Sequence, residues 1–357
     1  MIKSCYIHIP FCKNICSYCD FCKMYYNKDF IDKYLLSLEK EINLYYKNDL
    51  LNTLYIGGGT PSCLDEISLK KLFKIINIFK LNKTYEFTFE CNIEDINEKL
   101  LIFLKENKVN RISIGLQSFN KKYIEFMNRK YLNKKEITDK INLVKKYFNN
   151  INIDLIYGIN NETLKELQEE VDSFINLDVN HISLYSLILE DNTILKTKKY
   201  KEIDDDLNRK MYDYIRKTLK KNNYIHYEIS NFSKKGYMSK HNLCYWNNDN
   251  YYGFGLGSSG FIENIRYTNT RSLNSYINGN YRYYEEKIDK NRNMEYEMIL
   301  NLRKIKGISK KNFYKKYNLN IKDVFDVSKL KENKYYFYIP KKYLFVENYI
   351  LSDFILD

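Results

Sequence analysis

Phe11–Lys23 reads FCKNICSYCDFCK and places four cysteines within eleven residues of a chain that holds only eight. The stretch follows a β-rich run, Ser4–Pro10 (SCYIHIP), so the loop hangs from the end of a first strand. Four outcomes are open to such a loop: a disulfide, a zinc ion, an iron–sulfur cluster, or none of these. A structural zinc site needs a second ligand pair, and no other cysteine or histidine pair has that spacing. Cys12, Cys16 and Cys19, spaced C-x3-C-x2-C, can instead bind three irons of a [4Fe–4S] cluster. The fourth iron then stays open to a small chelating molecule.

Outward from the loop, short apolar runs alternate with helical patterns. After Ser4–Pro10 come TLYIGG, YEFTFE, RISIG, INIDLIYG and HISLYSL. Helical periodicity falls between them, near 29–46, 69–79, 96–105, 135–147 and 164–174. Six strand–helix units predict an α/β protein with a parallel sheet: a partial (β/α)6 TIM-like barrel, with a doubly wound sheet as the alternative. A long helix follows (DDLNRKMYDYIRKTLKKNN), then a Gly- and Asn-rich stretch, then a helical segment and a small α+β tail.

The bulk numbers narrow the class. With 44% hydrophobic and 29% charged residues, the chain reads as globular. The first residues run straight into a strand pattern without the charged, apolar and cleavage regions of an export signal. A cytoplasmic location with reduced thiols is therefore expected, which favours metal over disulfide. No apolar run approaches the ~20 residues of a membrane helix. The net charge of +13 accompanies abundant Lys, Asn, Ile and Tyr and a complete lack of alanine, a bias that an AT-rich genome would impose. No arginine cluster or aromatic RNA-binding signature is present, so no specific nucleic-acid partner is expected.

Polar residues recur where a ligand in such a barrel would meet them, at the C-terminal ends of successive strands. GGGTP (Gly57–Pro61) ends the second strand, Glu90 the third; Gln117 follows the fourth and Asp154 sits in the fifth. The cysteine loop resembles the cluster loop of the radical S-adenosylmethionine (SAM) superfamily, with Tyr18 as the aromatic residue before the third cysteine. YIHIPFC, IGGGTPS, FEC, RISIGLQSF and DLIYG resemble, in order, stretches of its oxygen-independent coproporphyrinogen III oxidase-like branch. The resemblance implies a [4Fe–4S] cluster on Cys12, Cys16 and Cys19, whose open iron takes the amino and carboxylate groups of SAM. It further implies SAM contacts at Tyr6, Gly58, Gly59, Thr60, Glu90, Gln117, Arg129 and Asp154. Cys22 is left as a surface thiol, a neighbour of the site, or a ligand when SAM is absent.

Within that branch the chain is most similar to the haem chaperones. The oxidases carry a fourth cysteine two residues after the third, where this chain has Phe21, and an N-terminal extension before the loop. HNLCYW (His241–Trp246) resembles the chaperones' H-N-x-x-Y-W haem motif. Its histidine offers an imidazole nitrogen to iron, and Tyr245 and Trp246 offer flat faces to a porphyrin. Cys244 is a second attachment point to consider. Ser259 departs from the pattern, since the chaperones usually have a histidine near it. The expected domains are a barrel over 1–230, a connecting segment with the motif over 231–290, and a small C-terminal domain over 291–357. The expected cofactors are the cluster, SAM and haem; the partners are haem and haem-acceptor proteins, with a homodimer open. A radical enzyme acting on a porphyrinogen is the alternative, and a tRNA-modifying enzyme a distant third.

Overall fold

The architecture is taken from a computed structural model, which describes residues 1–356. Six parallel strands run side by side in chain order: β1 (Ser4–Ile9), β2 (Leu50–Gly58), β3 (Lys80–Asn92), β4 (Arg111–Gln117), β5 (Ile151–Tyr157) and β6 (His181–Ser186). The fold is thus α/β on a central parallel sheet. Two antiparallel strands, β7 (Ile225–His226) and β8 (Asn231–Ser233), extend it beyond β6, and β9 (Tyr252–Phe254) pairs parallel to β1 at the other side. Strand β9 lies within 231–290, the stretch expected to connect, and it arises from a three-residue run centred on a glycine. An added Cβ at Gly253 would stand 1.8 Å from the Ser259 carbonyl oxygen, so only glycine lets the chain turn back there.

The crossover helices are set by their caps. Asn27, Asp65, Asn97, Asn133, Thr163 and Asp204 each accept a backbone N–H at the start of α1 (Lys28–Tyr45), α2 (Glu66–Ile76), α3 (Glu98–Glu106), α4 (Lys134–Tyr147), α5 (Leu164–Asn176) and α6 (Asp205–Lys221). Glu136 and Glu166 close capping boxes on α4 and α5. Each helix buries one stripe, in α1 Ile31, Tyr34, Leu35, Leu38 and Ile42, against the outer face of the sheet.

Strand alternation then decides where function sits. Ile112, Ile114, Ile151, Ile153 and Leu155 point to the helices and are buried in the main core. The other set faces inward: Tyr6 and His8; Thr53 and Tyr55; Thr88 and Glu90; Arg111 and Ser113; Asn152 and Asp154; His181 and Ser183. The interior of a closed (β/α)8 barrel is filled with branched apolar side chains. A polar interior on an open sheet instead leaves room for a ligand.

Beyond the sheet, β10 (Ser259–Ile262), β11 (Ile265–Asn269) and β12 (Arg282–Lys287) form an antiparallel meander. Helices Lys290–Leu302 and Lys310–Tyr317 pack beside a second three-stranded sheet, Ile308–Ser309, Lys331–Glu332 and Tyr336–Tyr338. Among the described residues no helix is long and apolar enough to cross a membrane.

Candidate cofactor and ligand cavity

The loop that carries the cysteines is fastened at both ends. Phe11–Cys12 pairs with Met24–Tyr25, while Gly59 and Thr60 donate backbone N–H groups to the carbonyls of Ile9 and Phe11. Cys12, Cys16 and Cys19 open onto one cavity of about 480 Å³. That volume is within the range of cofactor pockets, roughly 300–1,000 Å³. Each thiol has a polar or cationic neighbour. The Thr60 hydroxyl donates to Cys12 Sγ at 3.5 Å, and Arg129 Nη1 donates to Cys16 Sγ at 3.7 Å. Lys23 hydrogen-bonds the Cys19 carbonyl. Without a metal, burial pushes the Cys12 thiol up to about 11 and raises that of Cys19, which favours the protonated thiol at both. Metal loading must displace those protons. Among the described residues no three metal-binding side chains converge on a single ion. A cluster places no such demand, because its ligands go to separate irons. The donor set fits that group: three thiols on one cavity, with cations near.

The same cavity is lined by Gly58, Gly59, Thr60, Glu90, Gln117, Arg129 and Asp154. Seven of the eight positions expected to touch SAM therefore come together. The eighth, Tyr6, faces a neighbouring cavity of about 550 Å³ lined by His8, Cys22, Tyr55, Glu90, His241, Tyr245, Tyr251 and Arg271. The two cavities share Asp20, Phe21, Tyr55, Glu90 and Asn242.

The glycines act first on packing. Gly58 has φ +113°, and a Cβ there would stand 2.5 Å from the His8 ring; at Gly59 it would meet Pro10 and Ile9 backbone within 2.9 Å. They let the β2 turn press against the root of the cysteine loop. Gln117 adopts φ +72° at a register shift between β4 and β5, a strained conformation at the cavity wall. Arg129 was the hardest contact to foresee, since a helical arginine is usually solvated. It lies just past the short helix Lys121–Phe126, where Asn128 (φ +55°) turns the chain inward. Its guanidinium is buried and donates to Asn92 Oδ1 (3.0 Å) and the Gly115 carbonyl (2.8 Å), with Glu94 at 3.7 Å. Burial opposes its charge, but Tyr18, Cys16 and Glu94 outweigh that and hold its pKa above the usual range.

Glu90 accepts from the Tyr55 hydroxyl (2.6 Å) and the Gly58 N–H (3.0 Å). Its pKa is nevertheless raised from 4.5 to about 7, chiefly by burial and further by Asp154. Asp154 is itself raised by burial, against an Asn152 hydrogen bond of 2.8 Å. The folded chain thus holds the Glu90 proton more tightly than the unfolded chain. Stability is lost as pH rises through the window from about 4.5 to 7. Glu90→Gln is expected to stabilise the metal-free protein at pH 8 by about 1–3 kcal/mol, with no gain at pH 4. Urea unfolding at both pH values measures this, and equal gains at the two would contradict it.

His241 lies in the short helix Lys240–Trp246 and borders the second cavity. It is 1% exposed, and both ring nitrogens are engaged: Nδ1 with Thr53 Oγ1 (2.8 Å), Nε2 with the Tyr245 hydroxyl (2.7 Å). As the structure stands, no lone pair is free for iron. Trp246 does not meet the expectation of a porphyrin face beside His241. One residue further round the helix than Tyr245, it is rotated off the cavity, and Arg303 lies 5.7 Å from its ring. Cys244 is buried and borders a different cavity, with Met1, Thr53 and Asn293. Tyr55, Arg111 and Arg271 were not among the expected site residues, and inward strand alternation was the signal available for the first two.

Comparison with known proteins follows the same lines. The radical SAM superfamily model matches residues 6–174. The chain is 38% identical to the haem chaperone HemW of Lactococcus lactis over 90% of its length and 87% of that protein. It is also 38% identical to that of Bacillus subtilis, over 91% and 89%. Its structure superposes on that of coproporphyrinogen III oxidase from Escherichia coli with TM-score 0.86, 99% of this chain and 90% of that one, at 20% identity, which shows a shared fold. Near-complete coverage at this identity places the chain in the HemW family, within the radical SAM superfamily.

Proposed function

We propose that the protein binds haem and passes it to acceptor proteins, as a chaperone built on a radical SAM scaffold. The observation that carries this reading is the match, over nine tenths of the chain, to proteins named haem chaperones. In it, Cys12, Cys16 and Cys19 hold a [4Fe–4S] cluster whose open iron takes SAM. Gly58, Gly59, Thr60, Glu90, Gln117, Arg129 and Asp154 surround that SAM, and Tyr6 reaches it from the adjoining cavity. The chain's own part is to shield the cluster, hold three thiolates beside Arg129 and Lys23, and orient the ligand with the half-buried carboxylates of Glu90 and Asp154.

Haem is assigned to the second cavity. Tyr6, Tyr55, Tyr245 and Tyr251 line it and supply aromatic surface for a porphyrin. For His241 to reach iron, Nε2 must leave the Tyr245 hydroxyl. Tyr245→Phe removes that competitor and is expected to tighten haem binding several-fold, while His241→Ala weakens it about tenfold or more. Soret titrations of both variants check this, and a tighter His241→Ala would overturn the ligand assignment.

The alternative is decarboxylation of a porphyrinogen by the same machinery. Incubation of the reconstituted protein with coproporphyrinogen, SAM and a reductant separates the two. The chaperone reading predicts haem binding without vinyl-group formation. Turnover of the porphyrinogen without haem binding would replace it.

A further inference from the structure

Two arginines border the first cavity, and their circumstances differ. Arg129 is saturated by Cys16, Asn92, Gly115 and Glu94. Arg111, at the start of β4, is 2% exposed, and its Nε has no hydrogen-bond partner. Among the described residues it belongs to no ion pair. The carboxylates nearest in the interior are committed elsewhere: Glu90 to Tyr55 and Gly58, Asp154 to Asn152. The hydroxyl of Thr88, its cross-strand neighbour, is likewise buried without a partner. A buried guanidinium is retained at a desolvation cost that a hydrogen-bonded anion normally offsets. Glu90 and Asp154 are close enough to feel its charge, but among the described residues no carboxylate hydrogen-bonds it.

We propose that Arg111, at the floor of the first cavity, receives a carboxylate of the bound ligand, and that this carboxylate is a porphyrin propionate reaching from the second cavity past Tyr55 and Glu90, which line both. The assignment rests on the chaperone reading above. Position favours the propionate over the carboxylate of SAM. Apart from Tyr6, the cysteine loop and the SAM residues lie further along the strands, whereas Arg111 is the first residue of its strand and is level with Tyr6 and Tyr55, which line the second cavity. Register places Tyr55, Thr88 and Arg111 side by side on β2, β3 and β4, and the His241 ring packs 5.0 Å from that of Tyr55. Two strand spacings, roughly 10 Å, separate the Tyr55 and Arg111 positions. That is comparable to the reach from a haem iron to its propionates. The planar guanidinium fork matches a carboxylate with two parallel hydrogen bonds.

The test compares haem with haem dimethyl ester, which lacks the charged carboxylates, on the anaerobically reconstituted full-length protein. Wild type is expected to prefer haem on the order of tenfold or more, as a charge-assisted hydrogen bond predicts. Arg111→Gln should abolish that preference while leaving affinity for the ester within about twofold. Arg111→Lys, which keeps the charge and loses the fork, should retain an intermediate preference. A folded Arg111→Gln with the full wild-type preference overturns the assignment. So does a loss of SAM binding in Arg111→Gln with the haem preference intact, which gives the residue to SAM. Should Arg111→Gln fail to fold, Arg111→Lys decides: undiminished preference overturns the proposal and reduced preference supports it. In each of these failures wild-type haem binding persists and the chaperone reading stands. Absence of haem binding in wild type removes both.

Discussion

Cys16→Ala is expected to abolish the broad absorbance near ~400 nm that the wild-type protein acquires on anaerobic reconstitution with iron and sulfide. Cys16 borders the first cavity together with Cys12 and Cys19 and accepts a hydrogen bond from the buried Arg129. With one of three thiolates gone, two irons retain protein ligands and nothing nearby can replace the third. Cys91 and Cys63 are buried and their thiols are raised by burial, which disfavours the thiolate a metal requires. Cys22 borders the second cavity, beside Arg271 and Gly257. Cys244→Ala is the matched control, because that thiol lies in another cavity, and it should leave the spectrum intact. Equal spectra for Cys16→Ala and wild type would remove the cluster assignment.

Gly58→Ala should strongly destabilise the protein while leaving every cysteine in place. Two penalties combine at this position. The backbone sits at φ +113°, where an L side chain is strained, and the new methyl would stand 2.5 Å from the His8 ring. The ring cannot easily yield. His8 Nε2 donates to the Cys22 carbonyl (2.6 Å), and Nδ1 accepts from the Tyr6 hydroxyl (3.0 Å). A destabilisation of about 2–4 kcal/mol follows from strain plus overpacking. Because His8 is tied to the cysteine loop through Cys22, iron uptake should fall as well. Gly236→Ala separates the two penalties. Its φ is +90° and a Cβ there meets nothing within 4 Å, so only the strain of about 1–2 kcal/mol remains. Equal losses in the two variants, by urea unfolding, would contradict the steric argument at Gly58.

The parallel core was legible because strand and helix periods alternate cleanly from Ser4 to Leu187, and the helices start at strong caps such as Asn133 and Thr163. The cysteine loop was legible from spacing alone. What escaped lay in three-dimensional turns. Tyr252–Phe254 is too short and glycine-centred to read as a strand, and only its seat beside β1 makes it one. Arg129 enters the cavity because Asn128 adopts a left-handed conformation, which no linear pattern announces. The motif His241–Trp246 reads as one unit in sequence, yet the helix divides it between faces, keeping Tyr245 with His241 and sending Trp246 elsewhere. Arg111 opens a strand, where an arginine ordinarily reaches solvent, and it is buried here because the inner face of the sheet is polar throughout.

The proposed function requires this radical SAM scaffold to carry haem. Its most direct test is a Soret-band titration of the anaerobically reconstituted wild-type protein with haem, followed by addition of an apo-form haem acceptor. Saturable binding at one haem per chain is expected, with a Soret band that shifts to the acceptor's on mixing. A titration with no saturable Soret change, in protein whose cluster absorbance shows it to be loaded, would contradict that function.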